Sequence, residues 1–267
     1  MKLFDKIIFL IILFLYYLLK LNIYDEQNYI NGINYIKKLK KVVYTILLGK
    51  YDKVHILIKE NGYDYFMITD QEFNNDSKIN WTILKYHTKK NYKNDIERIK
   101  KQRFIKTHPH LFFKNYDLSV YADATYDIIG NLDEFLLRIL SPNKSIYLLE
   151  HPNRNSINNE YDAVVMGKKE TKKHVEHIKK NYNKEKFPDN NGLAETCLIV
   201  RKHNDINCIH FMEQWSHEIT QNSHRDQLSF NYIWWKNKYN IVKYISKVFT
   251  SKYFRQNSIH LLSCWFK

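Results

Sequence analysis

Asp123 closes an apolar run, Tyr116-Asp117-Leu118-Ser119-Val120-Tyr121-Ala122-Asp123-Ala124-Thr125, and an acid where a strand emerges suits ion chemistry. Its carboxylate can ligate a divalent cation that bridges to a diphosphate, or it can cap the turn that follows. Asp226 stands beside Arg225 in Ser223-His224-Arg225-Asp226-Gln227-Leu228-Ser229-Phe230. Paired with that guanidinium it would stay ionised; equally, Ser223 or Asp226 can cap the helix beyond. His108-Pro109-His110 and His151-Pro152 set imidazoles in extended or turn backbone, where they either ligate metal or simply hydrogen-bond. Arginine is scarce, with Arg98, Arg103, Arg138, Arg154, Arg201, Arg225 and Arg255 standing among 42 basic residues. A guanidinium fork grips phosphate in a way an ammonium does not, which draws attention to Arg154, Arg201 and Arg225. The sequence holds no H-E-x-x-H, G-x-S-x-G or Walker-type loop, which argues against those hydrolase and NTPase classes.

These residues need elements to hold them. Strands are expected at residues 42–48, 65–69, 81–86, 118–122, 146–149 and 196–200, where β-branched and aromatic residues run together. Residues 54–59 read as a short strand or helix. Helices are expected at 94–106 (with Asp95 as the cap), 132–140, 171–184, 210–221 and 227–236. Strands alternating with helices imply a mainly parallel sheet covered on both faces. Ligands of such sheets gather at the carboxyl ends of the strands; Asp70, Asp123 and His151 each follow an expected strand.

The formal net charge of +14 attracts anionic partners in general. Lysine is spread along the whole chain, and the densest basic stretch, Lys168 to Lys186, includes Glu170, Glu176 and Glu185, so it reads as a solvated helical face. Cys197, Cys208 and Cys264 form no C-x-x-C pair; two could pair in an oxidising compartment, and buried free thiols are the expected state. Residues 7–19 are uninterruptedly apolar, flanked by Lys2, Lys6 and Lys20. Without a small-x-small cleavage site, residues 1–24 read as an uncleaved signal anchor. Residues 25–41 then form a stalk or lead-in helix, and residues 42–267 one large domain. Charge flanks lean toward a cytoplasmic N-terminus and a lumenal body. Asn75, Asn80 and Asn143 each begin an N-x-S/T triplet.

Six segments, in order, carry a family resemblance: VVYTILLGKYD (42–52), YDYFMITD (63–70), the R-x7-K-x-HPHLFF-x2-YDLSVYADATYDI stretch from Arg98 to Ile128, EHPNRNSI (150–157), GLAETCLIVRKHN (192–204) and SHRDQLSFNYIWWK (223–236). Together they resemble the glycosyltransferase-like domain of the plant mucilage-related and turgor-regulation-defect proteins. The resemblance implies a GT-A-like, Rossmann-type α/β sandwich with a nucleotide-sugar at its strand ends. It implies Thr45, Gly49 and Asp70 near the nucleoside, with Asp123 in the place of a metal-binding D-x-D motif, holding Mn²⁺ or Mg²⁺. On the same basis His151, Arg154, Glu195, Arg201 and the Arg225-Asp226-Gln227 triplet line the sugar and acceptor side. This chain departs from the pattern: where the family tends to show Asp-Gly-Asn, it has Asp123-Ala124-Thr125. Threonine is the poorer cation ligand, and Asp127 is the nearest replacement.

The function expected is transfer of a sugar from a nucleotide-sugar to a hydroxyl of a glycan, protein or lipid. In it Asp123 meets the diphosphate through the cation, Arg154 or Arg225 touches phosphate, and Asp226 or Glu195 positions or deprotonates the acceptor. The alternatives are a non-catalytic nucleotide-sugar or glycan-binding module of the same fold, and a basic nucleic-acid-binding protein. No specific nucleic acid is expected.

Overall fold

Every residue of Lys41–Leu47 is buried, as a strand covered on both faces requires. In the computed structural model, which describes residues 26–49, 57–73, 80–87 and 92–256, this strand, β1, follows a helix at residues 26–38, α1. After it come β2 (Tyr63–Thr69), β3 (Thr82–Lys85), α2 (Asp95–Thr107), α3 (Pro109–Phe112), β4 (Leu118–Ala122), β5 (Tyr126–Ile128), α4 (Leu132–Ile139) and β6 (Ile146–Glu150). Then follow α5 (Ile157–Met166), α6 (Lys172–Lys184), β7 (Ala194–Arg201), α7 (Ile206–Gln221), α8 (Gln227–Asn237), β8 (Val242–Ile245), α9 (Lys247–Thr250) and β9 (Phe254–Gln256).

Seven strands pair in the order β3-β2-β1-β4-β7-β6-β8. Only β7 runs against its neighbours, β4 and β6, and the other pairings are parallel. The expected α/β fold with a mainly parallel sheet is present. Alternate side chains of β1 serve opposite layers. Val42, Tyr44 and Ile46 join Trp215, Phe211 and Phe230 beneath α2, α7 and α8. Val43 joins Ile36, Phe135 and Leu136 beneath α1 and α4. A two-stranded antiparallel ribbon, β5 with β9, closes that second face.

Local chemistry departs from the sequence reading in places. The cap of α2 is Asn94, whose side chain accepts the Glu97 N–H at 2.9 Å; Asp95, already helical, turns to Arg98. Helix α7 starts four residues early because Asp205 caps it. Helix α5 was not expected, although Ile157, Tyr161 and Val164 stand at i, i+4 and i+7 and are buried, and Ser156 caps it. In α6 only Val175, Ile178 and Tyr182 are buried, so the basic stretch is a solvated face. Cys197 and Cys208 are free thiols, and burial pushes Cys208 up to about 12. Cys264, Asn75 and residues 54–56 lie outside the described residues; 57–59 carry no regular structure. No described helix is long and apolar enough to cross a membrane, and the expected anchor at 1–24 lies outside the described residues.

Candidate functional site

The carboxyl ends of the parallel strands and the start of the reversed β7 bring together three groups of polar side chains. The first lies beyond β1 and β2. Gly49 takes φ +67°, a left-handed turn that glycine enters without strain, and its N–H donates to Asp70 Oδ1 at 2.9 Å. Asp70 Oδ2 accepts the Tyr92 hydroxyl at 2.7 Å. Arg98 on α2 donates to the Leu48 carbonyl at 3.1 Å. Thr45, just inside the end of β1, is buried with its hydroxyl unpartnered among the described residues.

The second group centres on Asp123, just past β4. Its Oδ1 accepts the Tyr121 phenol and lies 3.9 Å from Lys106 Nζ. Lys106 is only 1% exposed and donates to Asp226 Oδ2 at 2.6 Å and to Thr196 Oγ1 at 3.3 Å. Thr196 in turn donates to the same Asp226 oxygen at 2.9 Å, while Arg103 Nε faces Asp226 Oδ1 at 3.3 Å. Burial pushes the Asp226 pKa up, yet Arg103 and Lys106 outweigh it and hold the carboxyl well below the usual range. Asp226 occupies the cap position of α8 but its side chain caps nothing. It belongs to the charge cluster, and Trp215 Nε1 fixes its carbonyl at 3.1 Å. Asp123 likewise spends its side chain on Tyr121 and Lys106, and the turn to Tyr126 is closed by its backbone carbonyl.

The third group lies at an open pocket of about 590 Å³ that residues 150–155 and 246–248 line. Glu195 is paired with Lys247 at 2.9 Å. Arg154 Nε donates to the buried Glu160 at 2.8 Å, and its Nη2 lies 2.8 Å from His151 Nε2. His151 Nδ1 accepts the Arg154 N–H at 3.1 Å. Burial, then Arg154, lowers His151 to about 4, so the ring is neutral near pH 7.

One expected site residue stands apart from these groups. Arg201 has no exposed surface; it ends β7 at the amino edge of the parallel strands, beside Ser119 and Ile146. Its guanidinium donates to the Lys106 carbonyl at 2.7 Å and to the Tyr44 hydroxyl, so it braces the core instead of facing an acceptor. Gln227 is half-buried at the start of α8. Sequence reasoning assigned no role to Lys106, Arg103, Thr196 or Lys247. The spacing of Arg98 and Lys106 in the R-x7-K stretch was the available signal.

A divalent cation at Asp123 fits this donor set poorly. One oxygen already carries a phenol and a neighbouring ammonium, Thr125 is 8% exposed, and Asp127 is paired with Arg255 at 3.0 Å on the β5–β9 ribbon. Among the described residues no three His, Cys, Asp or Glu side chains gather as a metal would require. His108 and His110 both approach Glu213 of α7, at 3.1 and 3.4 Å.

A three-layer α/β sandwich with convergent charges at one strand edge is the build of a ligand-handling α/β domain. The chain belongs to the TOD1/MUCI70, glycosyltransferase-like domain family, whose model matches residues 31–261. No curated protein sequence matches it. Among solved structures it is similar to the WbbM bifunctional glycosyltransferase in its apo form, at 14% identity and TM-score 0.45. That match covers 78% of this chain, which spans only 39% of the WbbM chain. It is also similar to mouse xyloside xylosyltransferase 1, apo form, at 7% identity and TM-score 0.44, over 77% of this chain and 85% of that one.

Proposed function

We propose that the carboxyl edge of the sheet binds a nucleotide-sugar and transfers its sugar to a hydroxyl of a glycan, protein or lipid. The observation that carries this reading is the convergence of Gly49–Asp70, Asp123 and Glu195 on one edge, beside the pocket that Arg154 and Lys247 line, within a glycosyltransferase-like family. Asp70 and the Gly49 turn form the nucleoside end. In the transfer the anomeric C–O bond to the diphosphate breaks and its electron pair leaves with the diphosphate oxygen. In this reading Arg154 and Arg225 are the cations that meet that charge. The acceptor oxygen bonds the anomeric carbon, and its proton goes to Glu195 or Asp123, the part-exposed carboxylates of the edge. Asp226 is unsuited to taking that proton, since it is 3% exposed and held ionised by Lys106 and Arg103; it positions those cations instead. Residues 1–24 serve in this reading as the membrane anchor, with a lumenal catalytic body.

A donor-hydrolysis and transfer assay over a panel of UDP- and GDP-sugars tests it. Asp123→Asn and Glu195→Gln are each expected to lower turnover by about 10²-fold or more while leaving the melting temperature near that of the parent. Nucleotide binding without any turnover, even of the donor to water, would favour the non-catalytic module, for which Thr125 in place of a ligand is the motive.

A further inference from the structure

Positive charge at Asp123 is supplied by the chain's own residues. A divalent ion bridges a carboxylate and a diphosphate by presenting positive charge between them. Here the position next to Asp123 Oδ1 is already filled by an ammonium that cannot leave. Lys106 is 1% exposed and is held by Asp226 at 2.6 Å and Thr196 at 3.3 Å, with the Tyr121 ring 5.0 Å away. A dication approaching the same carboxylate would meet like charge at short range. The residues that would complete its shell are spent elsewhere, Thr125 in the interior and Asp127 on Arg255.

Arg225 supplies the other half. Its backbone N–H donates to Ser223 Oγ at 3.1 Å, yet its guanidinium makes no hydrogen bond or ion pair among the described residues, and its Nε is buried and unpartnered. It lies close enough to Asp226 and Glu160 to favour the ionised form of both. A buried donor without a partner is costly, and a half-buried guanidinium without a partner among the described residues is suited to a bidentate oxyanion.

We propose that this site meets its diphosphate with a fixed side-chain cation, Arg225, while Lys106, already balanced by Asp226, keeps a divalent metal off Asp123, so that none is needed. The inference rests on the nucleotide-sugar reading above and replaces the metal that the family resemblance implies.

The test is calorimetric titration of the full chain in detergent with UDP and with GDP, once in EDTA and once in Mn²⁺. Binding of one nucleotide with dissociation constants equal within about twofold in the two buffers is expected, and Arg225→Gln should weaken it by about tenfold or more in EDTA. Binding that appears only with Mn²⁺ would overturn the inference while leaving the donor site intact. Unchanged binding by folded Arg225→Gln would overturn it as well. If folded protein binds neither nucleotide in either buffer, the donor reading itself fails and this inference falls with it. Lys106→Gln, where circular dichroism shows it folded, should open Asp123 to the metal and bind more tightly in Mn²⁺ than in EDTA; equal dissociation constants in the two buffers would remove Lys106 from the scheme.

Discussion

At the scale of single residues, the centre of the site is an inverted arrangement in which the most buried groups are charged. Asp226 and Lys106 are 3% and 1% exposed and neutralise one another at 2.6 Å. Such a pair adds little net stability as a unit, but removing one partner strands the other. Asp226→Ala should therefore cost about 3–5 kcal/mol, measurable as a lowered urea midpoint, and the double variant Asp226→Leu/Lys106→Met should recover most of it. Asp123 and Asp226 are visible in the sequence because each sits in a recognisable segment. Their partners are not: Lys106 and Thr196 reach Asp226 across 120 and 30 residues of chain, and no local pattern encodes that. An N-cap role for Asp226 is reasonable on spacing alone; it fails because two cations nearby outcompete the backbone N–H groups for the carboxylate.

Among the elements, α2 does most of the positioning. Its inner face sends Arg98 to the β1 exit, and Arg103 with Lys106, one turn apart, to Asp226. Its last carbonyls carry the negative end of the helix dipole, and Arg201 donates to the Lys106 carbonyl there. That contact gives a buried guanidinium a counter-charge, and explains why an arginine expected at the acceptor side turns out to brace the core. The turn at Gly49 is equally constrained. An added Cβ would meet Arg98 Cδ at 2.6 Å, at a φ of +67°. Gly49→Ala should cost about 1–2 kcal/mol in thermal denaturation and should loosen the Asp70 contact. The long buried strands were legible from their apolar runs. The short pieces β5, β8, β9 and α9 were not, since three or four residues carry no period and their pairing is set by distant chain.

Across the whole molecule, acid should act early. Burial lowers both His203 and His151 to about 4, below the unfolded value near 6.5. Between those values the unfolded chain binds protons that the folded chain refuses, so stability present above pH 6.5 is lost as pH falls toward 4. His203 alone contributes a slope of up to about 1.4 kcal/mol per pH unit. His203→Gln should flatten the melting temperature across that window, with the Asp226 contribution fading only at lower pH. The molecule also has two polar ends. The amino edge has its own open pocket of about 590 Å³, lined by Lys37–Lys41, Gly62–Asp64 and Asn115–Tyr116, and its lysines attract anions as well. Hydrogen-exchange mass spectrometry with a panel of UDP- and GDP-sugars separates them. With a donor bound, protection is expected at residues 47–49, 70–71, 123–126 and 150–155, with 37–41 and 62–64 unchanged. Protection confined to the amino edge would contradict the assignment of the donor site.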